Sequence, residues 1–223
     1  MKTRHEALIA EVEAEVRAMA DSLGFAALSP TVLAALRAVP RHAFVSDAYR
    51  ALAYANHPLP IGAGQTISQP FIVAIMSQAL QLAAGARVFE LGTGSGYQAA
   101  VLAAMGLEVY TMEIVPELAE QARRTLAGLG IRQVQVRTGD GWLGWPEAAP
   151  FDGILVAAAA PRLPEPLIAQ LGPGGRLAIP LGEPWDLQQL AVYEKDAAGR
   201  LAGKALLPVR FVPVTGPQGG RRI

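Results

Sequence analysis

The sequence predicts a doubly wound, mostly parallel α/β sheet, with an antiparallel hairpin towards its C-terminus and a helical extension at its N-terminus. Three observations predict it. From Arg87 onward, short apolar runs alternate with helix-forming segments, the pattern of parallel strands covered on both faces. The first run, Val88-Phe89-Glu90-Leu91, passes through glycines at alternate positions (Gly92, Gly94, Gly96) into the helix formers Gln98 to Ala104. The last two runs, Leu187 to Glu194 and Leu201 to Val212, are joined by the turn-rich link Lys195 to Arg200, which makes a hairpin.

Taken in order, a first helix is expected from Thr3 to Leu23, because Leu8, Val12, Val16, Met19 and Leu23 share one face; it stops at Gly24. Thr31 to Val39 predicts a second helix, ended by Pro40. Arg41 to Pro70 lacks regular periodicity, and long irregular segments within a domain are usually lids or binding loops. Its Thr66 and Ser68 either cap the following helix, Phe71 to Leu82, or offer hydroxyls to a ligand. The alternating part then reads as strands Arg87–Leu91, Glu108–Met112, Gln133–Arg137, Phe151–Ala157 and Arg176–Leu181. Helices to Ala104, from Pro116 to Leu129 and from about Pro164 to Leu171 separate them. This organisation divides a single domain into N-terminal helices and an acceptor-side or lid loop (1–70), a core (71–214) and a flexible tail (215–223).

With 223 residues, the chain can bury one good core. Nineteen basic and nineteen acidic residues cancel without a basic block, which argues against a nucleic-acid partner held through phosphates. No cysteine is present, so disulfides, thiolate metal sites and thiol catalysis are excluded. The three histidines, His5, His42 and His57, show no metal-ligand spacing, and no metal is expected. No apolar run reaches the roughly 18 residues of a membrane span, and the N-terminus reads as a charged helix; a cytoplasmic monomer without membrane contact is the expectation.

Ligands of such sheets bind beyond the carboxyl ends of the strands. A strand–glycine turn–helix unit cradles part of a nucleotide-like cofactor, since glycines permit positive φ and expose main-chain N–H groups beside a helix N-terminus. The spacing G-x-G-x-G differs from the nicotinamide G-x-G-x-x-G, and Glu90 precedes it by two positions. A carboxylate there would repel a diphosphate and suits a ligand bearing an ammonium and a sulfonium, S-adenosylmethionine. Glu113 ends the next strand about 20 residues on, where an acid accepts ribose hydroxyls. Asp140, in Gly139-Asp140-Gly141, is either turn chemistry or an adenine contact.

These residues, together with Val39-Pro40-Arg41, Phe44-Val45, Leu59-Pro60-Ile61-Gly62, Gln65-Thr66-Ile67-Ser68-Gln69-Pro70, Gly139 to Trp142, Phe151-Asp152 and Arg210-Phe211-Val212-Pro213, resemble the protein-L-isoaspartate O-methyltransferases. The resemblance spans Val39 to Val214, and the Thr-Ile-Ser-x-Pro segment is its most specific part. It implies the methyltransferase form of the Rossmann-like fold. It also implies S-adenosylmethionine as methyl donor, S-adenosylhomocysteine as product, and isoaspartyl proteins and peptides as substrates. By resemblance Ser68 is the active-site serine. Gln65, Thr66, Ile67, Ser68 and Ile114 then border the cofactor, Glu90, Gly92, Thr93, Gly94, Ser95 and Gly96 embrace its methionine part, Glu113 holds the ribose, and Asp140 with Gly141 meets the adenine.

The sequence departs from the family where Thr-Ala-Ala-Pro usually follows the fourth strand: here Ala157 to Ala160 precede Pro161. The rival readings are a methyltransferase of another carboxylic acid or of RNA, and a non-catalytic S-adenosylmethionine-binding module. Against RNA stand the charge balance and the lack of an Asn-Pro-Pro-Tyr or Asp-Pro-Pro-Tyr motif near Ala157. Retention of Ser68 and its neighbours argues against lost chemistry.

Overall fold

The computed structural model describes residues 2–183 and 186–217. The N-terminal extension holds α1 (Lys2–Ala18), α2 (Ala20–Leu23) and α3 (Pro30–Ala38). The single first helix expected from the apolar stripe is thus broken: Met19 leaves helical geometry at φ −105°, ψ 16°, and Gly24 then ends α2 in the left-handed region at φ 79°. Leu8, Ile9, Val12 and Val16 of α1 are buried. Ser29 caps α3 by accepting from the Val32 N–H at 3.3 Å, and Pro30 occupies the first turn, where a missing N–H costs nothing.

The stretch from Arg41 to Pro70, read as irregular, contains short 3-10 turns at Arg41–Phe44 and Asp47–Leu52. A small antiparallel hairpin follows, β1 (Leu59–Gly62) with β2 (Gln65–Ile67). α4 (Pro70–Leu80) follows and is buried all round, between the N-terminal helices and the sheet. That explains its near-uniform apolar sequence; burying Phe71, Ile75, Met76 and Leu80 contributes about 1.5–3 kcal/mol each.

The main sheet is built from β3 (Arg87–Leu91), β4 (Glu108–Glu113), β5 (Val134–Thr138), β6 (Phe151–Val156), β7 (Leu171–Leu181), β8 (Gln188–Lys195) and β9 (Leu201–Val209), in the order β5-β4-β3-β6-β7-β8-β9. The first five pair in parallel, and β8 and β9 complete an antiparallel edge, as the sequence predicts. α5 (Tyr97–Ala104), α6 (Pro116–Gly128) and α7 (Glu165–Gln170) connect the parallel strands. β7 begins earlier than expected, at Leu171, because Leu171 pairs with Phe151 ahead of the irregularity that leads to Arg176. β9 ends at Val209, short of the expected Val212: the chain leaves the sheet edge and Pro213 bridges to Ala159 instead.

Strand order reverses between β3 and β6. Successive strands run one way from β3 to β5 and the other way from β6 to β9, so the chain parts at the carboxyl ends of β3 and β6. A crevice opens at such a reversal. Here it is floored by Leu91, whose carbonyl accepts from Ala157 N–H at 2.8 Å.

Candidate active site

A pocket occupies that crevice, lined by the glycine loop, the ends of β3 and β4 and the segment before α4. The glycine loop forms one wall. Gly92, Gly94 and Gly96 all have positive φ (92°, 52° and 88°), and the loop is held by Met112 O, which accepts from Gly92 N–H at 2.9 Å. A Cβ at Gly96 would lie 3.3 Å from the Ala122 Cβ, so this glycine serves helix packing; it does not line the pocket. Glu113 ends β4 inside the pocket. Its Oε2 accepts from Gly94 N–H at 2.8 Å and its Oε1 from Val115 N–H at 3.0 Å, so one carboxylate ties the glycine loop to the turn after β4 while keeping further lone pairs for a ligand.

Glu90 does not line the pocket. It lies beneath the glycine loop, fully buried, with Oε2 accepting from the Thr111 hydroxyl at 2.5 Å and Thr111 in turn 2.7 Å from Thr93 Oγ1. Its other oxygen has no partner among the described residues. Burial pushes the carboxyl up to about 8, the Thr111 hydrogen bond opposes that rise, and the Glu113 charge adds to it. A neutral acid under the loop at pH 7 is therefore the resting state. A positive charge close to it would favour the ionised form.

On the opposite wall stand Gln65, Thr66, Ile67 and Ser68, at the end of the hairpin, with the Ile61 side chain 3.4 Å from where a Gly94 Cβ would sit. The capping alternative for Thr66 and Ser68 fails. α4 starts after Gln69 with no side-chain cap, Pro70 fills its first position, and the next N–H, Phe71, donates to Asn56 Oδ1 at 3.0 Å. Both hydroxyls are thereby left for a ligand.

At the far end Gly141 lines the pocket so tightly that an added Cβ would lie 2.7 Å from Leu91 Cγ. Asp140 itself acts in the turn, accepting from Trp142 N–H at 3.0 Å, and is not among the lining residues. The tail expected to be loose from Thr215 is instead packed at its start: Gly216 sits against Ile114 and the Asp140 carboxylate, while residues 218–223 lie outside the described residues. Val212, Pro213, Val214 and Thr215 close over the pocket, strapped by Ala159 N–H to Val212 O and Val214 N–H to Ala159 O, both 2.8 Å. Gln188 holds the root of this strap by accepting from Phe211 N–H at 2.8 Å.

A model of the Protein-L-isoaspartate(D-aspartate) O-methyltransferase family matches residues 16–219. The chain belongs to this family. Among relatives of that name, Protein-L-isoaspartate O-methyltransferase 2 of Syntrophobacter fumaroxidans is 53% identical over 209 residues, covering 94% of this chain and 85% of the relative. A solved protein-L-isoaspartate O-methyltransferase superposes with a TM-score of 0.80 at 29% identity, over 93% of this chain and 67% of the other. A Plasmodium falciparum structure, solved in complex with S-adenosyl-L-homocysteine, shares the fold at 24% identity and a TM-score of 0.77, over 95% of this chain and 98% of that one.

Of the isoaspartate methyltransferase positions singled out by sequence, the pocket gathers Gln65, Thr66, Ile67, Ser68, Gly92, Thr93, Gly94, Ser95, Glu113, Ile114 and Gly141, and leaves Glu90, Gly96 and Asp140 one layer behind. Sequence reading missed Tyr97 and Gln98, whose place at the start of α5 was the available signal, and the strap, of which only Val212 is expected in the last strand and Thr215 in the tail. A second groove adjoins the pocket and shares Thr66, Ser68, Ala157 and Val212 with it; Glu15, Phe71 and Arg210 are among its walls. Ala157, where the family usually has threonine, thus stands between the two cavities as a bare methyl group.

Proposed function

We propose that this chain transfers a methyl group from S-adenosylmethionine to the α-carboxylate of L-isoaspartyl residues in damaged proteins and peptides, which starts their repair through a succinimide. The observation that carries the reading is the position of Ser68, whose uncommitted hydroxyl lies where the glycine-loop pocket meets the second groove. Bound S-adenosylmethionine supplies an electrophilic methyl on a positively charged sulfur and leaves as S-adenosylhomocysteine. Glu113 accepts the ribose hydroxyls, Gly92 to Ser95 enclose the methionine part, and Ile114 and Gly141 flank the adenine. Glu90 and Gly96 shape the loop from behind, and Asp140 sets the turn that presents Gly141.

The acceptor carboxylate has an ordinary pKa near 4 and is ionised at neutral pH, so the reaction needs no general base. The residues of this chain therefore contribute position and desolvation. Ser68 donates its O–H to one carboxylate oxygen and so aims the other along the sulfur–methyl axis; Thr66 is the second hydroxyl on that wall. The strap from Val212 to Thr215 keeps water from the reacting atoms. Such alignment is worth several kcal/mol of barrier. The neighbouring backbone amide nitrogen then attacks the ester and loses its proton as methanol leaves, and water opens the resulting succinimide partly to normal aspartate.

On this reading the N-terminal part (1–70) serves chiefly the acceptor and the core (71–214) chiefly the cofactor. With no net charge and no basic block the chain is taken to act without nucleic acid, and its length and single core are taken to make it a monomer; no described helix is long and apolar enough to cross a membrane. The deciding experiment is transfer of labelled methyl from S-adenosylmethionine to an isoaspartyl peptide and to its normal aspartyl twin. Transfer to the first alone is expected; equal transfer to both, or to neither, refutes the proposal.

A further inference from the structure

Arg41 is the largest fully buried side chain among the described residues. Arginine is rarely buried unless paired with a carboxylate, and Arg41 has no such partner among the described residues. Its guanidinium instead gathers four backbone carbonyls. Nη1 donates to Ala53 O at 2.7 Å and Ala55 O at 3.3 Å; Nη2 donates to His57 O at 3.0 Å and Ser68 O at 3.1 Å. Three of those carbonyls belong to the loop ahead of the hairpin, and the fourth is that of the proposed active-site serine. The Cζ also lies 5.9 Å from the centroid of the Tyr97 ring, which lines the cofactor pocket.

The charge is retained. Burial lowers Arg41 to about 10, still well above neutral pH, so the fork stays protonated with all its donors. A buried cation without a counter-ion is expensive, and a methionine or leucine would fill the same space at lower cost. What no apolar side chain can do is satisfy four converging carbonyls from two separated segments at once. Asn56 completes the clamp, its amide donating to Glu15 Oε2 at 2.7 Å and accepting from Phe71 N–H. The backbone on both sides of the hairpin is therefore tied to one planar group that also rests on the wall of the cofactor pocket.

We propose that Arg41 is the positioning residue of the acceptor site, fixing through its bond to the Ser68 carbonyl, and those to Ala53, Ala55 and His57, where the Ser68 hydroxyl stands relative to Tyr97 and the glycine loop. The proposal rests on the role given above to Ser68, and it separates acceptor alignment from cofactor binding. Arg41 acts only through Ser68 and its loop. Lysine cannot replace it, because a single ammonium with three donors cannot serve the four carbonyls that two guanidinium nitrogens reach.

The test compares wild type, Arg41→Lys and Arg41→Ala in three measurements: labelled methyl transfer to an isoaspartyl peptide, calorimetric titration with S-adenosylhomocysteine, and amide hydrogen exchange. Expected are a fall in kcat of roughly 10- to 100-fold in both variants, as for a catalytic group displaced by about 1 Å. The S-adenosylhomocysteine Kd should stay within about threefold of wild type. Faster exchange should be confined to residues 53–69, and methylguanidinium should restore part of the turnover of Arg41→Ala and none of that of Ser68→Ala. Wild-type kcat in Arg41→Lys overturns the proposal, as does a loss of cofactor affinity matching the loss of kcat, or exchange that rises across the whole sheet. If Arg41→Ala fails to fold, Arg41→Lys carries the kcat, affinity and exchange comparisons alone. A wild-type protein inactive on the peptide refutes the isoaspartyl reading, and exchange with S-adenosylhomocysteine affinity still decides whether Arg41 orders the loop independently of the cofactor site.

Discussion

Replacing Glu90 by glutamine should stabilise the cofactor-free protein at neutral and alkaline pH. The carboxyl titrates at about 8 in the folded chain against an ordinary 4.5. Because the folded state holds its proton more tightly, stability is fully present below about pH 4.5 and is lost as pH rises through that window to about 8. At pH 7 about 2.5 of those roughly 3.5 units have been crossed, and at 1.36 kcal/mol per unit the accumulated loss is about 3 kcal/mol. Glutamine keeps the oxygen that accepts from Thr111 and places an uncharged amide where the unpartnered oxygen sits, so it escapes this loss. For a chain of this size, 3 kcal/mol corresponds to roughly 6–12 °C in Tm. Urea unfolding of both proteins without cofactor, at pH values from 5 to 8.5, is the assay. Other titrations cancel in the comparison, so the Glu90→Gln advantage should widen with pH up to about 8 and level off above it. Parallel curves would mean that Glu90 is already ionised beneath the glycine loop, and the argument from burial would be wrong.

Ser68→Ala should lower turnover while leaving S-adenosylhomocysteine affinity nearly intact, as separate kinetic and calorimetric measurements would show; wild-type turnover would remove Ser68 from the acceptor site. Glu113→Gln leaves one of the Gly94 and Val115 N–H groups facing an amide, so cofactor affinity should fall roughly 10- to 100-fold, with a stability loss of about 1–3 kcal/mol. Unchanged affinity by calorimetry would count against the ribose role. Gly141→Ala drives a Cβ to 2.7 Å from Leu91 Cγ, and overpacking of this kind costs about 1–3 kcal/mol; chemical denaturation should show the loss together with weaker cofactor binding.

The parallel core was legible because β3 and β6 carry buried apolar runs, β4 follows at the spacing of a crossover, and the glycine loop marks the first crossover without ambiguity. The hairpin before α4 was not, since its strands are only four and three residues long and contain Pro60 and Gly62, too short for alternation to register. The glycines of Gly172-Pro173-Gly174-Gly175 likewise hid the start of β7, which depends on Leu171 finding Phe151 across the sheet. At the site, residues whose own backbone touches the ligand space were readable from strand ends and glycines. Which layer a side chain occupies was not: Glu90 and Asp140 look alike in sequence, yet one is buried under the loop and the other caps a turn. Arg41 illustrates the same limit. An arginine beside a proline reads as a surface charge, and only the folded loop brings four carbonyls to it.

The most direct test of the whole account is a crystal structure of the protein with S-adenosylhomocysteine and an isoaspartyl peptide. Expected are the ribose on Glu113, the sulfur facing the wall that carries Ser68, and the peptide in the groove beyond Ala157 with a carboxylate oxygen on the Ser68 hydroxyl. Density for the cofactor outside the glycine-loop pocket, or a peptide carboxylate out of reach of Ser68, would contradict it.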